Sequence, residues 1–327
     1  MSFQRLTRVF GWGKMVKALY LGPPGTYSHQ AALQQFDYSN EVEYIPTSSI
    51  PECIQKLETD KSIDYSVIPL ENSTNGQVVF SYDLLRDRMV HEEGLNRQGN
   101  RVIPTLEVVG EQYVSIAHCL IATEPKPALG DFSRVQIYSH PQVWGQVSSY
   151  LQQLQSKFPN TTFEKIDSSS TSEAVRRILN CESKRGIIDV AIAGEVAAKL
   201  NKCSVVDTGI NDVKGNTTRF LILQRRNHRQ IVSQSPKVSL MTFTTKQDDP
   251  GSLVDVLTIL KTHGVNMCSI NSRPYNRGKQ KWQYVFFIEY YYQNEGHDWD
   301  VFYQELENLC SEWCLWGIFP RNANYYA

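Results

Sequence analysis

The sequence has 327 residues, of which 41% are hydrophobic and 20% are charged, with a formal net charge of −1 at pH 7. This composition excludes a chain that is disordered throughout, and the balanced charge gives no indication of nucleic acid or a membrane surface as a partner. No apolar run approaches the ~20 residues that a membrane-spanning helix needs. The seven cysteines are scattered and odd in number, so we expect no disulfide framework and a reducing, cytoplasmic environment.

Short apolar runs alternate with helical patterns over the first two-thirds of the chain. The runs that predict strands are 18–21, 42–46, 65–68, 135–138, 162–164, 189–193 and 219–223. Strands that alternate with helices predict an α/β fold with mostly parallel sheets. We expect two lobes, about 17–109 with 210–230 and about 110–209, because the last strand can return to the first block. Ligands of such sheets bind beyond the carboxyl ends of the strands, so a cleft between the lobes is the expected site.

The remaining residues follow a different pattern. In residues 237–327 the order of patterns is strand, helix, strand, strand, helix, strand, which predicts an α+β, ferredoxin-like βαββαβ module. The polar residues 225–234 are the expected linker, and the polar residues 89–102 are expected to form a surface insertion. The basic residues 1–16 are expected to form an N-terminal extension.

Five segments carry small hydrogen-bond donors next to predicted strand ends: 22–29, 69–76, 139–142, 167–173 and 216–220. Glycine permits close approach of the backbone, and hydroxyl groups together with helix-start N–H groups can hold a carboxylate. Each segment alone is also explained by a capped helix or a turn. A lone histidine such as His140 is more often structural. Arg219, at the start of an apolar strand, needs an anionic partner, either a ligand or an acid such as Asp212 or a glutamate.

Together the five segments resemble the prephenate dehydratase family over about Leu19 to Leu223. The family has the forms Gly-Pro-x-Gly-Thr-Phe/Tyr-Ser, Pro-x-Glu-Asn-Ser-x-x-Gly, Ser-His-Pro-Gln, Ser-Thr-x-x-Ala and Asn-x-Thr-Arg-Phe, and all five occur here in the same order. The resemblance implies a catalytic domain over 17–230, with a two-lobed fold like that of type II periplasmic binding proteins. Around the substrate it places Thr26, Ser28, Asn72, Ser73, His140, Thr171, Asn216, Thr218, Arg219 and Phe220. Ser172 stands where the family usually has alanine or another small residue, so its role is open.

The implied reaction converts prephenate, a dianion with a hydroxyl on a cyclohexadiene ring, into phenylpyruvate during phenylalanine biosynthesis. Loss of water and CO2 makes the ring aromatic, so we expect no redox cofactor, metal or covalent nucleophile. Arg219 is the expected countercharge, and Thr218 is the expected donor to the leaving hydroxyl. His140 and Glu71 are rival acids. The alternatives are an arogenate dehydratase, which performs the same chemistry on the transaminated substrate, and a non-catalytic amino-acid-sensing binding protein.

The C-terminal module is similar to an ACT domain, the amino-acid-sensing module often fused to this family. Its loop resembling Gly-Ala-Leu contains Gly251, Ser252, Leu253 and Val254. Its motif resembling Glu-Ser-Arg-Pro contains Asn271, Ser272, Arg273 and Pro274, with Asn271 in place of the usual acid. The similarity implies either that these residues bind phenylalanine as an allosteric effector or that the module only dimerises. ACT modules commonly pair through their sheets, so a homodimer or homotetramer is expected.

Overall fold

The computed structural model describes residues 15–90, 96–182, 184–227, 236–246, 249–277, 280–292 and 297–326. Most of the expected N-terminal extension (1–16) and most of the expected linker (225–234) lie outside these residues. Within the described part of the chain, none of the helices combines the length and the apolar character needed to cross a membrane.

The first part of the chain builds a sheet that is covered by helices. Its elements are β1 (Val16–Leu21), α1 (Tyr27–Gln35), β2 (Val42–Thr47), α2 (Ile50–Thr59), β3 (Tyr65–Asn72), β4 (Gly76–Gln77), α3 (Val79–Val90), β5 (Asn96–Gln98), β6 (Arg101–Ile103) and β7 (Leu106–Ser115). The strands β1 and β3 are short apolar runs with mostly buried side chains, as expected for strands that are covered on both faces. Helices α1 and α2 begin at the capping side chains of Thr26 and Ser49, each of which accepts a hydrogen bond from a backbone N–H group.

The second part of the chain builds a separate sheet and then returns to the first. Its elements are β8 (His118–Ala122), β9 (Arg134–Ser139), α4 (Ser148–Lys157), β10 (Thr162–Asp167), α5 (Thr171–Leu179), β11 (Ile187–Gly194), α6 (Glu195–Leu200), β12 (Ser204–Thr208) and β13 (Thr217–Arg225). The second sheet has the order β10-β9-β11-β8-β12, and the first has the order β2-β1-β3-β13-β7, with β4 beside β3. The expected two-lobed α/β architecture is therefore confirmed. The return strand β13 runs antiparallel to β3 and β7, because it enters the first lobe from the second.

The last part of the chain has the expected βαββαβ order. Its elements are β14 (Lys237–Thr245), α7 (Ser252–Thr262), β15 (Met267–Arg277), β16 (Gln280–Tyr292), α8 (Trp299–Leu309) and β17 (Cys310–Pro320). The third sheet has the order β15-β16-β14-β17-β6-β5. One face packs against α7 and α8. The other face shares a core with the first lobe, where Leu240, Phe287 and Trp316 pack with Tyr82 and Leu85 of α3.

In the range 89–102, expected to be a surface insertion, residues 91–95 lie outside the described part of the chain and residues 96–102 contribute to strands of the third sheet. The strand β6 extends that sheet beside β17. Arg97 forms an ion pair of 2.6 Å with the buried Glu312. The guanidinium of Arg101 lies 4.9 Å from the ring centroid of Trp313. Arg97 and Arg101, two of the charged residues that indicated a surface loop, are therefore partners of residues in the third sheet.

Candidate active site

The carboxyl end of β3 and the first residues of β13 lie side by side, with Thr218 opposite Asn72. The amide Nδ2 of Asn72 donates to Oδ1 of Asn216 at 2.7 Å and to Oγ1 of Thr218 at 2.9 Å. Its Oδ1 accepts the backbone N–H groups of Thr74 and Asn75, so the orientation of the amide is fixed. We call Asn72, Asn216 and Thr218 the seam.

The hydroxyl of Thr218 is the group of the seam that can bind a ligand. Its oxygen accepts the bond from Asn72, and among the described residues the hydroxyl has no acceptor of its own. The side chain is half-buried. A hydroxyl group has one donor and two acceptor positions, so Thr218 can accept from Asn72 and donate its proton to a bound molecule.

The seam lies where the chain crosses between the lobes. Oγ of Ser73 accepts the N–H of Thr217 at 2.9 Å, and the N–H of Ser73 donates to the carbonyl of Thr217 at 2.8 Å. On the other side of the crossing, the N–H of Ile116 donates to the carbonyl of Asn216 at 2.7 Å. A change in the angle between the lobes would therefore move the residues of the seam.

The loop before α1 meets the starts of α5 and α6 across the lobes. Oγ of Ser172 donates to the carbonyl of Pro24. Gly25 has a φ of +91°, and a Cβ at this position would lie 2.6 Å from Oγ of Ser172 and 3.0 Å from Cα of Ala197. Only glycine combines this backbone conformation with so close an approach. Ser172, whose role the sequence left open, provides a bond between the lobes that an alanine would lack.

The hydroxyl groups expected from the first and fourth segments lie at these helix starts. Oγ1 of Thr26 accepts the N–H of His29 at 3.3 Å and donates to the carbonyl of Leu21 at 3.0 Å, so it caps α1. Ser28 is buried and Thr171 is half-buried, in the first turns of α1 and α5. Helix starts carry unpaired N–H groups and a partial positive charge, which suit the binding of a carboxylate.

A second contact between the lobes joins Tyr27, at the start of α1, to His118, at the start of β8. Oη of Tyr27 lies 3.0 Å from Nδ1 of His118, and Nε2 of His118 lies 3.0 Å from Oε1 of Gln146. Burial lowers the pKa of His118, and the hydrogen bond with Gln146 opposes this effect. The neutral ring can then donate from Nε2 to Gln146 while Nδ1 accepts from Tyr27.

His140 and Phe220 occupy positions with a local structural role. His140 precedes the 3-10 helix Pro141–Gln146, where its Nδ1 accepts the N–H of Gln142 at 3.3 Å. It has no hydrogen bond to the seam among the residues that the structure describes. Phe220 is 1% exposed and packs in the core beneath α1 with Tyr65, so its side chain contributes packing there.

Arg219 lies on the other side of β13, among buried charged groups. Its Nε donates to Glu111 at 2.9 Å, and its Nη1 donates to Glu71 at 2.9 Å. Nη1 and Nη2 also donate to the two carboxylate oxygens of Glu289, at 2.8 and 2.7 Å. Arg321 adds a second guanidinium, 3.1 Å from Glu111. We call these five residues the charge cluster.

These contacts identify the partners that Arg219 has in this structure. Its side chain is 5% exposed, and each of its nitrogens donates to a carboxylate. In this structure Arg219 is therefore an ion-pair partner of glutamates, and its role as a countercharge for a ligand stays a prediction. Asp212, the other acid considered, caps α4 by accepting the N–H of Ser148 at 2.8 Å. Burial disfavours the charged guanidinium, but Glu289 and Glu111 raise the pKa of Arg219 well above its usual value. Glu71, the expected rival acid, lies in this cluster, on the far side of β13 from Thr218.

The residues expected to bind an effector lie at two places in the third sheet. Gly251, with a φ of +87°, precedes α7, whose first three residues are Ser252, Leu253 and Val254. The other motif lies on β15 and contacts α3 through bonds between Asn271 and Tyr82 (3.0 Å), Arg273 and Asp83 (2.7 Å), and the carbonyl of Pro274 and Arg86 (2.7 Å). Part of this motif therefore attaches β15 to the first lobe, while Ser272 and Val254 are exposed.

Comparisons with known proteins agree with the resemblance seen in the segments. The family model for prephenate dehydratase matches residues 18–228. A probable prephenate dehydratase from Saccharomyces cerevisiae is 52% identical over 330 residues, which cover 96% of this chain and 98% of that protein. The chain belongs to the prephenate dehydratase family.

Solved structures share the fold of this prephenate dehydratase family member. The structure of prephenate dehydratase in complex with L-Phe from Arthrobacter aurescens has a TM-score of 0.71 and 22% identity, covering 94% of this chain and 90% of its own. GqqA, described as a novel type of quorum quenching acylase, has a TM-score of 0.73 and 23% identity, covering 95% of this chain and 99% of its own. Identities this low show a common fold only.

The structure brings together some of the residues that the resemblance to prephenate dehydratases places around a substrate. Those that meet at the crossing between the lobes are Asn72, Ser73, Asn216 and Thr218. Those that lie at the helix starts are Thr26, Ser28 and Thr171. His140, Phe220, Arg219 and Glu71 have the other contacts described above.

The family motifs do not reveal the rest of the charge cluster or the contact between Tyr27 and His118. A signal was present for Glu289, because it lies between Ile288 and Tyr290 in an apolar strand pattern. A charged residue in such a pattern is rarely buried without a partner. The sequence could not name that partner, since Arg219 lies in a different sheet.

Proposed function

We propose that this chain is a prephenate dehydratase, a carbon–oxygen lyase that removes water and CO2 from prephenate and forms phenylpyruvate in the biosynthesis of phenylalanine. Membership of the family supports this function. The observation that carries the chemistry is the hydroxyl of Thr218, which is oriented by Asn72 at 2.9 Å and can donate its own proton.

The reaction has to expel a poor leaving group from the ring. The C–O bond of the ring hydroxyl breaks, and the electron pair of the bond to the departing carboxylate completes the aromatic ring. A hydrogen bond to the hydroxyl oxygen stabilises the charge that develops there as the bond breaks. Thr218 provides this hydrogen bond. A threonine hydroxyl is a weak acid, so it directs a hydrogen bond or passes on a proton from water and does not supply the proton alone.

The N-terminal ends of α1 and α5, at the boundary between the lobes, bind the dianion. Thr26, Ser28 and Thr171 lie there, where the first N–H groups of a helix have no partner within the helix. The carboxylate of the pyruvyl side chain is the group to be held firmly. Equal stabilisation of the departing carboxylate would favour the ground state and would not raise the rate. His140, in the second lobe, remains the rival proton donor.

Residues 237–327 form an ACT-like regulatory domain in this proposal, and residues 17–230 form the catalytic domain. Phenylalanine is the proposed effector, and the exposed Ser272 and Val254 belong to the two motifs that support it. Calorimetric titration with phenylalanine tests this part. The absence of both binding heat and a change in turnover would contradict it.

The proposed assembly is a homodimer or homotetramer in the cytoplasm. The strand β15 ends the third sheet on one side, whereas β6 and β5 extend the other side. An end strand can pair with a second copy of itself across a two-fold axis. Light scattering on the purified protein tests this, and a monomeric mass at micromolar concentration would contradict it.

The test of the function is an assay of phenylpyruvate formation with purified protein and prephenate. We expect turnover without any added redox cofactor. The same assay with arogenate, followed by detection of phenylalanine, identifies an arogenate dehydratase if that substrate is preferred. Binding of amino acids without turnover of either substrate would instead support a sensor.

A further inference from the structure

We propose that Glu289, in strand β16 of the third sheet, is a positioning residue for the dehydratase reaction. Its two bonds to Arg219 fix the start of β13 on the face opposite the seam, and this fixes the position of Thr218 in the seam. This inference rests on the dehydratase function proposed above. It makes turnover depend on how the third sheet docks against the first lobe.

The strands β3 and β13 present their two faces to different parts of the molecule. Thr218 is paired with Asn72, and Arg219 is paired with Glu71. Successive side chains of a strand point to opposite faces, so the first pair lies in the seam and the second pair lies behind it. The cores agree with this, because Leu221 belongs to the core that is shared with the third sheet.

Glu289 constrains both the position and the orientation of Arg219. Its two oxygens accept from Nη1 and Nη2 at 2.8 and 2.7 Å, and such a paired contact fixes the plane of the guanidinium. Both side chains are at most 5% exposed, so little water competes for the bonds. A shift of Glu289 would therefore displace Arg219, whose backbone is one peptide bond from Thr218.

The pairing of β13 with β3 is irregular at this point, whereas its pairing with β7 is regular. The register of β13 on β3 shifts between Arg219 and Phe220, so the ladder on the β3 side is interrupted just behind the seam. Such irregularities change the direction in which neighbouring side chains point. The pair of Glu289 and Arg219 holds the back of the strand here, and the 2.9 Å bond between Asn72 and Thr218 holds the front.

The charges suggest that Glu289 is not required simply to neutralise Arg219. The cluster contains three carboxylates and two guanidinium groups. Glu111 lies 2.7 Å from Arg219 and 3.1 Å from Arg321, so it serves both. Replacing Glu289 by glutamine leaves two carboxylates with two guanidinium groups. We therefore expect the Glu289→Gln variant to fold.

The test compares kcat and KM for prephenate in the wild type, in Glu289→Gln and in the control Glu312→Gln. Glu312 is also a buried carboxylate of the third sheet, 4% exposed, but its ion pair is with Arg97. We expect Glu289→Gln to lower kcat by ~10–100-fold, since a displacement of about 1 Å at a catalytic group has effects of this size. Its KM should stay within about threefold, as expected when only transition-state contacts are lost. The control should keep its kcat.

A second measurement separates positioning from a general structural role. In a Thr218→Ala background, Glu289→Gln should change kcat by less than about twofold, because two residues that act as a unit are not additive. An equal loss of kcat in both backgrounds would overturn the proposal. If Glu289→Gln does not fold, Glu289→Asp takes its place with the same expectations, since it keeps the charge but is too short for both bonds. An active wild type with an unchanged variant overturns this proposal alone. A wild type that does not turn over prephenate overturns the proposed function as well.

Discussion

Replacing Arg219 by methionine removes the guanidinium and keeps much of the side-chain volume. Glu111 and Glu289, whose side chains are 0% and 4% exposed, then have Arg321 as the remaining guanidinium of the cluster. Removing one partner of a buried ion pair typically lowers the free energy of unfolding by about 3–5 kcal/mol, because the remaining charge stays desolvated. Two buried carboxylates lose a partner here, so we expect the upper part of that range, about 4–5 kcal/mol. Glu71, 35% exposed, can recover water and adds little.

The assay is thermal unfolding followed by circular dichroism, with Arg134→Met as a control. Arg134 and Glu164 form an exposed ion pair at 3.7 Å, with side chains 50% and 46% exposed, and such pairs contribute about 0–1 kcal/mol. At roughly 2–4 °C per kcal/mol, Tm should fall by about 8–20 °C for Arg219→Met and by at most about 4 °C for the control. Equal Tm values for the two variants would refute the idea that the charge cluster is a strongly coupled buried unit.

Arg219→Lys distinguishes positioning from direct binding of the substrate. Lysine keeps the positive charge but cannot form the paired bonds that Glu289 accepts. We expect kcat to fall by ~10-fold or more while KM for prephenate changes by less than about threefold. A large increase in KM with an unchanged kcat would restore the role of countercharge.

Three further predictions concern the boundary between the lobes. Gly25→Ala should lower kcat/KM by ~10-fold or more, because its Cβ would lie 2.6 Å from a neighbouring hydroxyl oxygen. The control is Gly76→Ala, which adds backbone strain alone, because Gly76 has a φ of +77° and a Cβ there would have no atom within 4 Å. Burial lowers the pKa of His29 from 6.5 to about 4. The stability that depends on the neutral ring is therefore fully present above pH 6.5 and is lost as the pH falls towards 4. Between pH 7 and pH 5 the free energy of unfolding in urea should fall by about 2 kcal/mol more for the wild type than for His29→Gln. His140→Asn should keep kcat within about fivefold, whereas a loss of ~100-fold or more would transfer the role of proton donor from Thr218 to His140.

Local patterns of the sequence predicted the elements and their layers well. The alternation of apolar runs and helical patterns indicated the two lobes, and the strand at 219–223 was expected to return to the first sheet, which β13 does. The βαββαβ order of the C-terminal part was likewise readable, because each period of hydrophobicity depends on neighbours in the sequence. Prediction was weaker for residues 89–102, where β5 and β6 extend a sheet whose other four strands follow more than a hundred residues later.

The candidate site was only partly predictable for the same reason. The family segments placed Asn72 and Thr218 near each other, and the structure shows the bond that joins them. They did not show that Arg219, one residue further along, points to the opposite face and contacts the third sheet. That arrangement depends on strand pairing and on Glu289, and a sequence pattern does not give such long-range pairs. The lobe contact made by Ser172 with Pro24 depends on tertiary packing in the same way.

The turnover of prephenate by the wild type and by Thr218→Ala, measured under the same conditions, tests whether the hydroxyl of Thr218 assists the loss of the ring hydroxyl. The wild type should form phenylpyruvate, and Thr218→Ala should lose ~100–10,000-fold in kcat with a similar KM, because a directed donor to the leaving hydroxyl is removed. Thr218→Ser, which keeps the hydroxyl, should recover most of the rate. A Thr218→Ala variant with the kcat of the wild type would contradict the account.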